Sequence, residues 1–362
     1  MRVLHAAPMR QISSGIINQM KWEHDAAQDL NLPWEVKIFV PNDFKFYADS
    51  IIIEKSNKDI KINSNFQFRR EYYDWLLKQE SQFDCFVLRY NNFDFQQLSF
   101  IRKIKKPVYL IHHTLELPEL KSEKTIKSSI QYILEQFIGK YSIKLAKGNI
   151  GVTNEIFEYE NARVNYILKN KLIYPNGIFY GDNDLDIVDE RGAIPEIVFI
   201  ASFFYEWHGL DLLLNDLKNS QEKFVLHIIG DITESDRSIA CRDSRVILHG
   251  HLDEEQIQEI LKKSWIGLAS FALYRKGMKE ACTLKVREYL KSGLPVYSGH
   301  DDIFAESFLY YYKGDVLISS IVEYAKKMRV HSKNDVSESS KRYISKKNLV
   351  NVFYTKLSRV FL

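Results

Sequence analysis

EACTLKVREYLKSGLPV, residues Glu280 to Val296, reads as a short loop, one helix and the opening of a buried strand. Leu284, Val286, Tyr289 and Leu290 supply an apolar helical stripe, Thr283 stands where an N-cap is expected, and Gly293 stops the helix. Leu294, Pro295 and Val296 lead into an extended segment, so a helix feeds a strand, the unit of an α/β sheet. Glu280 stays in the loop and Glu288 falls inside the helix. A helix starting here turns the N–H groups of Cys282, Thr283, Leu284 and Lys285 toward its N-terminus, where the peptide dipoles sum to a partial positive charge. Lys285 in the first turn opposes that dipole, and Arg275, Lys276 and Lys279 crowd the approach. A diphosphate resolves the conflict. Ionised Glu280 and Glu288 accept hydrogen bonds and suit the hydroxyls of a sugar and a ribose at the two ends of such a ligand. The same residues also fit an ordinary amphipathic helix with a solvated Glu at each end.

Outward from this run, strand and helix patterns alternate. Upstream lie EIVFIAS, GLDLLLNDL, KFVLHIIGD, RVILHGHL, EEQIQEILKK and WIGLAS, which predict a parallel sheet for the second half. The first half repeats the scheme with Arg2–Ala6, a helix from Ile16 through Leu30, WEVKIFV, a helix around Phe66–Gln79, DCFVLRY and PVYLIHH. IGVTNEI and LIYPNGI close it. The loop PMRQISSG carries one glycine, Gly15, and no G-x-G-x-x-G, so the dinucleotide fingerprint is absent. Pro175, Asn176 and Gly177 form the turn at which the chain leaves the first domain. The expected division is 1–178 for the first domain and 179–336 for the second, with a last helix from Val336 to Phe361 carrying Leu349, Phe353, Leu357 and Val360 on one stripe.

Length agrees with two domains: 362 residues exceed one modest core, and 45% hydrophobic residues are ample for two. A formal charge of +3 from 50 basic and 47 acidic residues gives no global field for nucleic acid. Cys85, Cys241 and Cys282 are odd in number and lack a C-x-x-C pair, which points to a reducing compartment and away from structural zinc. No run of about 18 apolar residues occurs, and the apolar start is too short for a signal-peptide core. The expected location is therefore cytoplasmic, with a peripheral contact on the inner face of the membrane left open.

His112 and His113 end a parallel-type strand, where ligands sit in open α/β sheets. Neighbouring strand residues point to opposite faces, so one packs while the other faces ligand. Past Pro118 a long helical segment carries Ile126, Ile130, Ile133, Leu134 and Phe137 on one face and Lys121, Lys124, Lys127 and Lys140 elsewhere. It fits a core helix with a solvated lysine face, and it also fits a helix lying on an anionic membrane surface. Asp182, Asp184 and Asp186 lack the glycine and terminal Glu of an EF-hand loop, and no metal is expected there.

Taken together, these features resemble the GT-B glycosyltransferases of the retaining GT4 type, in a subgroup concerned with bacterial surface polysaccharides. The likeness follows the element order of nearly the whole chain, and its specific motifs lie between Ile197 and Val296: E-x7-E, a helix, and a Gly-x-Pro-Val strand. It implies two Rossmann-like doubly wound domains facing across a cleft, with the last helix returning to the first domain. It implies a retaining, metal-independent hexosyltransferase with no cofactor, moving sugar from a nucleotide diphosphate sugar to a glycan or lipid-linked acceptor. Glu280 would hold the sugar ring, His113 would approach the transferred sugar, Gly15 would face the diphosphate and Gly230 would end its strand beside the nucleotide. In FIASFFYEWHGLDLLL the family's two diphosphate cations are replaced by Ser202 and His208, a departure for which Lys285, Arg275, Lys276 or Lys279 would compensate. A nucleotide-sugar epimerase on the same fold and a non-catalytic partner subunit remain alternative readings.

Overall fold

A computed structural model describes residues 1–44, 50–56, 64–122, 125–165, 171–181 and 187–361. Lys124 and the aspartates at 182, 184 and 186 lie outside the described residues. The chain forms two compact units, Met1–Phe179 with Lys346–Leu362, and Tyr180–Ser345.

In the first unit the elements run β1 (Val3–Pro8), α1 (Ser14–Asp29), β2 (Trp34–Val40), β3 (Ile53–Lys55), α2 (Asn65–Lys78), β4 (Cys85–Arg89), α3 (Phe95–Lys103) and β5 (Val108–His112). There follow α4 (Glu116–Ser122), α5 (Ile126–Leu134), a π turn (Glu135–Gly139), α6 (Lys140–Leu145), β6 (Gly148–Gly151) and α7 (Asn154–Ala162). The strands form one sheet in the order β3-β2-β1-β4-β5-β6, every pair parallel. Strands covered on both faces are largely apolar, which is why β1 and β4 read as near-continuous hydrophobic runs, interrupted only by His5 and Arg89, rather than alternating ones.

The second unit has β7 (Glu196–Phe203), α8 (Leu210–Leu217), β8 (Val225–Asp231), α9 (Glu234–Ala240), β9 (Val246–Gly250), α10 (Glu254–Lys263) and β10 (Ile266–Leu268). It continues with α11 (Leu284–Lys291), β11 (Val296–Ser298), β12 (Tyr311–Lys313), α12 (Ile318–Met328) and α13 (Lys333–Ile344). Its sheet is again parallel, in the order β12-β11-β10-β7-β8-β9. Two six-stranded parallel sheets flanked by helices are the two Rossmann-like units of the GT-B fold, as the sequence implies.

Three local features depart from the sequence reading. The last helix is two helices: Ser345 is extended (φ −65°, ψ 121°), ending α13, and α14 (Lys346–Phe361) starts where the Lys346 N–H donates to the carbonyl of Ile178. α14 belongs to the first unit. Phe353 stacks on Tyr174 at 4.5 Å and meets Trp34 edge-on, and the Lys346 ammonium lies 3.9 Å from the buried Glu23. Burial of Glu23 favours its neutral form, but His5 at 2.6 Å and Lys346 outweigh that and hold its carboxyl down at about 2.

The long segment past Pro118 is broken into α4, α5, the π turn and α6. The π turn directs Glu135 inward, where it accepts hydrogen bonds from the Tyr90 hydroxyl (2.7 Å), the Phe93 N–H (2.6 Å) and Arg163 (2.7 Å). The apolar stripe of α5 points out rather than in, so this is not a core helix: Ile126, Ile130, Ile133 and Phe137 are exposed. Gly15, read from the sequence as part of a loop, lies in the first turn of α1, which begins one residue earlier.

Candidate donor site at the start of α11

α11 is pinned from several sides. Val286, Tyr289 and Leu290 are buried, and the Tyr289 ring packs over Gly267 so closely that a Cβ there would lie 2.4 Å from it. The Tyr289 hydroxyl accepts the N–H of Ile200 (2.8 Å), which ties the helix to β7 where the β7–β8 register shifts. Arg287 is fully buried and grips Asp302 with both guanidinium nitrogens (2.5 and 2.6 Å), while donating to the carbonyl of Thr283. That bidentate pair fixes the first turn against the segment after β11. The sequence reading did not single out Arg287 or Asp302. Arg287 lies only one residue before Glu288, and an arginine within an amphipathic helix ordinarily points to solvent.

The loop before α11 is held as firmly. Ala281 N–H donates to Asp301 O (3.0 Å) and Asp301 N–H to Lys279 O (2.9 Å), so Glu280 forms an isolated parallel bridge with Asp301 and is nearly buried. Cys282 is buried beside it, and Leu284 is half-buried.

At the helix start, buried polar atoms stand without a protein partner among the described residues: Thr283 Oγ1, Lys285 Nζ and, nearby, His300 Nε2. Thr283 is the N-cap residue by position, yet its hydroxyl makes no capping bond, contrary to the expected role. Leaving buried donors unpaired is costly, about 1–3 kcal/mol each and more for a charge, so the arrangement calls for a ligand acceptor. Lys285 Nζ sits 5.3 Å from the centre of the Phe199 ring. Burial pushes its ammonium down to about 7, against the smaller opposing pull of Glu288. Glu288 is exposed as a residue, yet its carboxyl has lost enough surrounding water, with the like charge of Glu254 adding to this, to be raised above the ordinary range.

His208 packs edge-on to the same Phe199 ring, 6.5 Å between centres. Its Nδ1 accepts the N–H of Tyr205 (3.0 Å), leaving Nε2 as the proton-bearing nitrogen. Burial, and then the charge of Lys285, drive it down to about 3, so His208 is neutral at physiological pH and serves as an N–H donor rather than a cation. Lys285 also depresses His300, whose shift comes first from burial. Ser202 is exposed at the end of β7. Gly230, near the end of β8, has φ 114°, and a Cβ there would fall 1.5 Å from the Ala201 carbonyl oxygen, so only glycine fits between the two strand ends.

The neighbouring cations are engaged elsewhere. Arg275 forms a bidentate pair with Asp211 (2.9 and 2.8 Å) and donates to Glu206 O, and Lys276 lies 4.6 Å over the Trp207 ring. Lys279 is exposed on the loop. A cavity of about 650 Å³ lined by Pro195, Asp216, Glu222 and Lys326 lies toward the opposite, N-terminal edge of β7 and includes no residue of α11.

The structure thus gathers Glu280, Cys282, Thr283, Leu284, Lys285 and Glu288 on one loop and helix of the second unit, with His208 beside Lys285 and Ser202 and Gly230 at the ends of β7 and β8. His113 and Gly15 belong to the first unit. His112 ends β5, fully buried and stacked on Tyr90 at 4.3 Å. His113 follows it, half-buried, and burial with the charge of Arg89 holds it well below the ordinary imidazole range, hence neutral.

Residues 194–307, which enclose this site, match the family model described as "Glycosyl transferases group 1". No curated protein matches the chain by sequence. Among solved structures the fold is similar to a lipopolysaccharide outer core galactosyltransferase, WaaB, in its apo form (13% identity, 99% of each chain, TM-score 0.68). It is similar to sucrose-phosphate synthase from Thermosynechococcus elongatus (14%, 99% of each chain, 0.66) and to Anabaena HepE in complex with UDP (11%, 99% of this chain and 100% of that one, 0.63).

Proposed function

We infer from the group 1 match over the second unit and from the GT-B fold that this chain is a glycosyltransferase using a nucleotide diphosphate sugar. The observation that carries the reading is that the Lys285 ammonium and the Thr283 hydroxyl, both at the N-terminal end of α11, are buried without a protein partner among the described residues. A diphosphate supplies the acceptors that both lack, and the helix dipole adds to the attraction.

In this reading the diphosphate lies on the N–H groups of Cys282, Thr283, Leu284 and Lys285, with His208 Nε2–H and the Ser202 hydroxyl as further donors. Glu288 takes the ribose hydroxyls, Glu280 takes the sugar, and Gly230 lets the nucleotide approach the strand end. Breaking the anomeric C–O bond leaves negative charge on the diphosphate, so donors fixed in advance stabilise the transition state more than the ground state. The reaction is read as retaining and metal-independent. The acceptor hydroxyl gives its proton to the departing phosphate oxygen as its own oxygen bonds the anomeric carbon on the same face. Neutral His113 donates a hydrogen bond to the transferred hexose, and Gly15 borders the diphosphate. The acceptor is a glycan or lipid-linked glycan, and the setting is the cytoplasm.

The test is binding followed by turnover. Uridine, guanosine and adenosine diphosphates are titrated while thermal unfolding is followed, then a panel of nucleotide sugars is assayed for slow hydrolysis without acceptor. At least one nucleotide should raise the unfolding temperature, and its sugar conjugates should be hydrolysed. Glu280→Gln and Glu288→Gln should each lower turnover by about a hundredfold or more. No thermal shift with any nucleotide, or near-normal turnover in both variants, sinks the reading. Interconversion of sugar isomers in place of hydrolysis would favour an epimerase.

A further inference from the structure

The outward face of α5 is independent of the donor site. Of its nine residues only Ser128 is buried. Ile126 is 85% exposed, Ile130 and Ile133 are 55%, Phe137 64% and Tyr141 54%. Their spacing of 4, 3, 4 and 4 residues places them along one side of a continuous helical path through α5, the π turn and α6. Single exposed apolar residues are ordinary, but five large ones in a helical stripe mark a surface that is covered in use.

The charges along the stripe say what covers it. Between Thr125 and Lys147 the charged residues are Lys127, Lys140, Lys144, Lys147 and Glu135. All four lysines are exposed, whereas Glu135 is fully buried against Arg163 and Tyr90. The face therefore shows solvent large apolar side chains and positive charge, with no exposed carboxylate on this segment. A second copy of the chain would bring lysine against lysine. An anionic lipid surface matches both properties, with the apolar stripe entering the headgroup and acyl boundary and the lysines meeting phosphates. Among the described residues no helix is long and apolar enough to cross a membrane.

We propose that the α5–α6 face docks the protein on an anionic membrane surface. The experiment is co-sedimentation of the full chain with vesicles of phosphatidylglycerol mixed into phosphatidylcholine, beside vesicles of phosphatidylcholine alone. Wild-type protein should pellet with the anionic vesicles and weakly with the neutral ones, and added salt should release it. Ile130→Asp with Phe137→Asp should weaken binding about tenfold or more, through lost apolar burial. Each of Lys127→Gln, Lys140→Gln and Lys144→Gln should weaken it about fivefold. These positions are solvent-exposed, so far-UV circular dichroism and nucleotide-induced thermal shift should be unchanged, which separates this proposal from the donor-site reading. Three results overturn the proposal. The first is no pelleting with anionic vesicles, and the second is equal pelleting of wild type and the double Asp variant. The third is a concentration-dependent dimer in sedimentation velocity that the double Asp variant abolishes while vesicle binding is absent.

Discussion

The affinity of the best-binding nucleoside diphosphate, measured by calorimetry at a series of pH values from about 7 to about 9, tests the group at the start of α11 most directly. Burial holds the Lys285 ammonium of the ligand-free protein at about 7, and a bound diphosphate stabilises its charged form. Nucleotide binding above that pH must therefore draw in a proton, and affinity should fall about tenfold for each pH unit, about 1.4 kcal/mol per unit. The ligand's own titration does not supply this slope, because its terminal phosphate loses its last proton near pH 6. His208, held at about 3, is neutral throughout the range.

The stability of the ligand-free protein should move the other way. The unfolded lysine titrates near 10.5, so between about 7 and 10.5 the unfolded chain holds the proton that the folded chain has lost. Stability therefore rises with pH in that window, by up to about 1.4 kcal/mol per unit, and Lys285 contributes no slope below 7, where both states are charged. Rising stability with falling affinity is a signature that a solvated lysine cannot give. Lys285→Met should remove the affinity trend and its own share of the stability trend, leaving the share of Lys333, whose ammonium burial also holds at about 7, and Lys285→Arg should keep an affinity that is flat with pH, because a guanidinium stays charged. Flat wild-type affinity, or a slope that survives in Lys285→Met, refutes the assignment of this side chain to the diphosphate.

Two substitutions test the frame around the site. Gly230→Ala forces a Cβ to within 1.5 Å of the Ala201 carbonyl at φ 114°, so β7 and β8 must separate; about 3 kcal/mol or more of stability should be lost in denaturant titration, and a loss under 1 kcal/mol would contradict the packing. Asp302→Ala strands the buried Arg287 charge and should cost about 3–5 kcal/mol, most of which the double variant Arg287→Met with Asp302→Leu should recover; additive losses would deny the coupling.

Much of the fold was legible because its signals are local. Strands buried on both faces are apolar along most of their length, and the helices between them must carry a stripe, so the two parallel sheets could be read from runs such as VLHAA and FVLHIIG, each broken by a single histidine. Gly293 at φ 74° ends α11 where the sequence places its stop. The break at Ser345 was not legible, because it follows from the carbonyl of Ile178, distant in sequence, capturing the Lys346 N–H. The orientation of α5 was hidden for a similar reason. Helical periodicity gives an apolar face but not its direction, and the direction here is set by Glu135 turning inward to Arg163 and Tyr90. At the donor site, Lys285 and the neighbouring N–H groups were visible as a charge opposing a dipole. Arg287 was not, since its partner Asp302 belongs to a different element and no spacing links them.

Among the described residues, the uncharged Ser202 and His208 near the end of β7 and the unpartnered lysine on α11 are two sides of one electrostatic choice. Two positive groups sharing the Phe199 ring would repel each other in a site with little water, and only one of them can stay charged before the ligand arrives. Burial, and then the charge of Lys285, hold His208 neutral, which converts it from a rival charge into an N–H donor of fixed tautomer. Arg275 is withdrawn into its pair with Asp211 and the Glu206 carbonyl, where it braces the turn that carries His208. In the proposed function, the positive charge that meets the diphosphate then rests on the helix itself. There it adds directly to the N–H groups and becomes most favourable when the leaving phosphate gains charge.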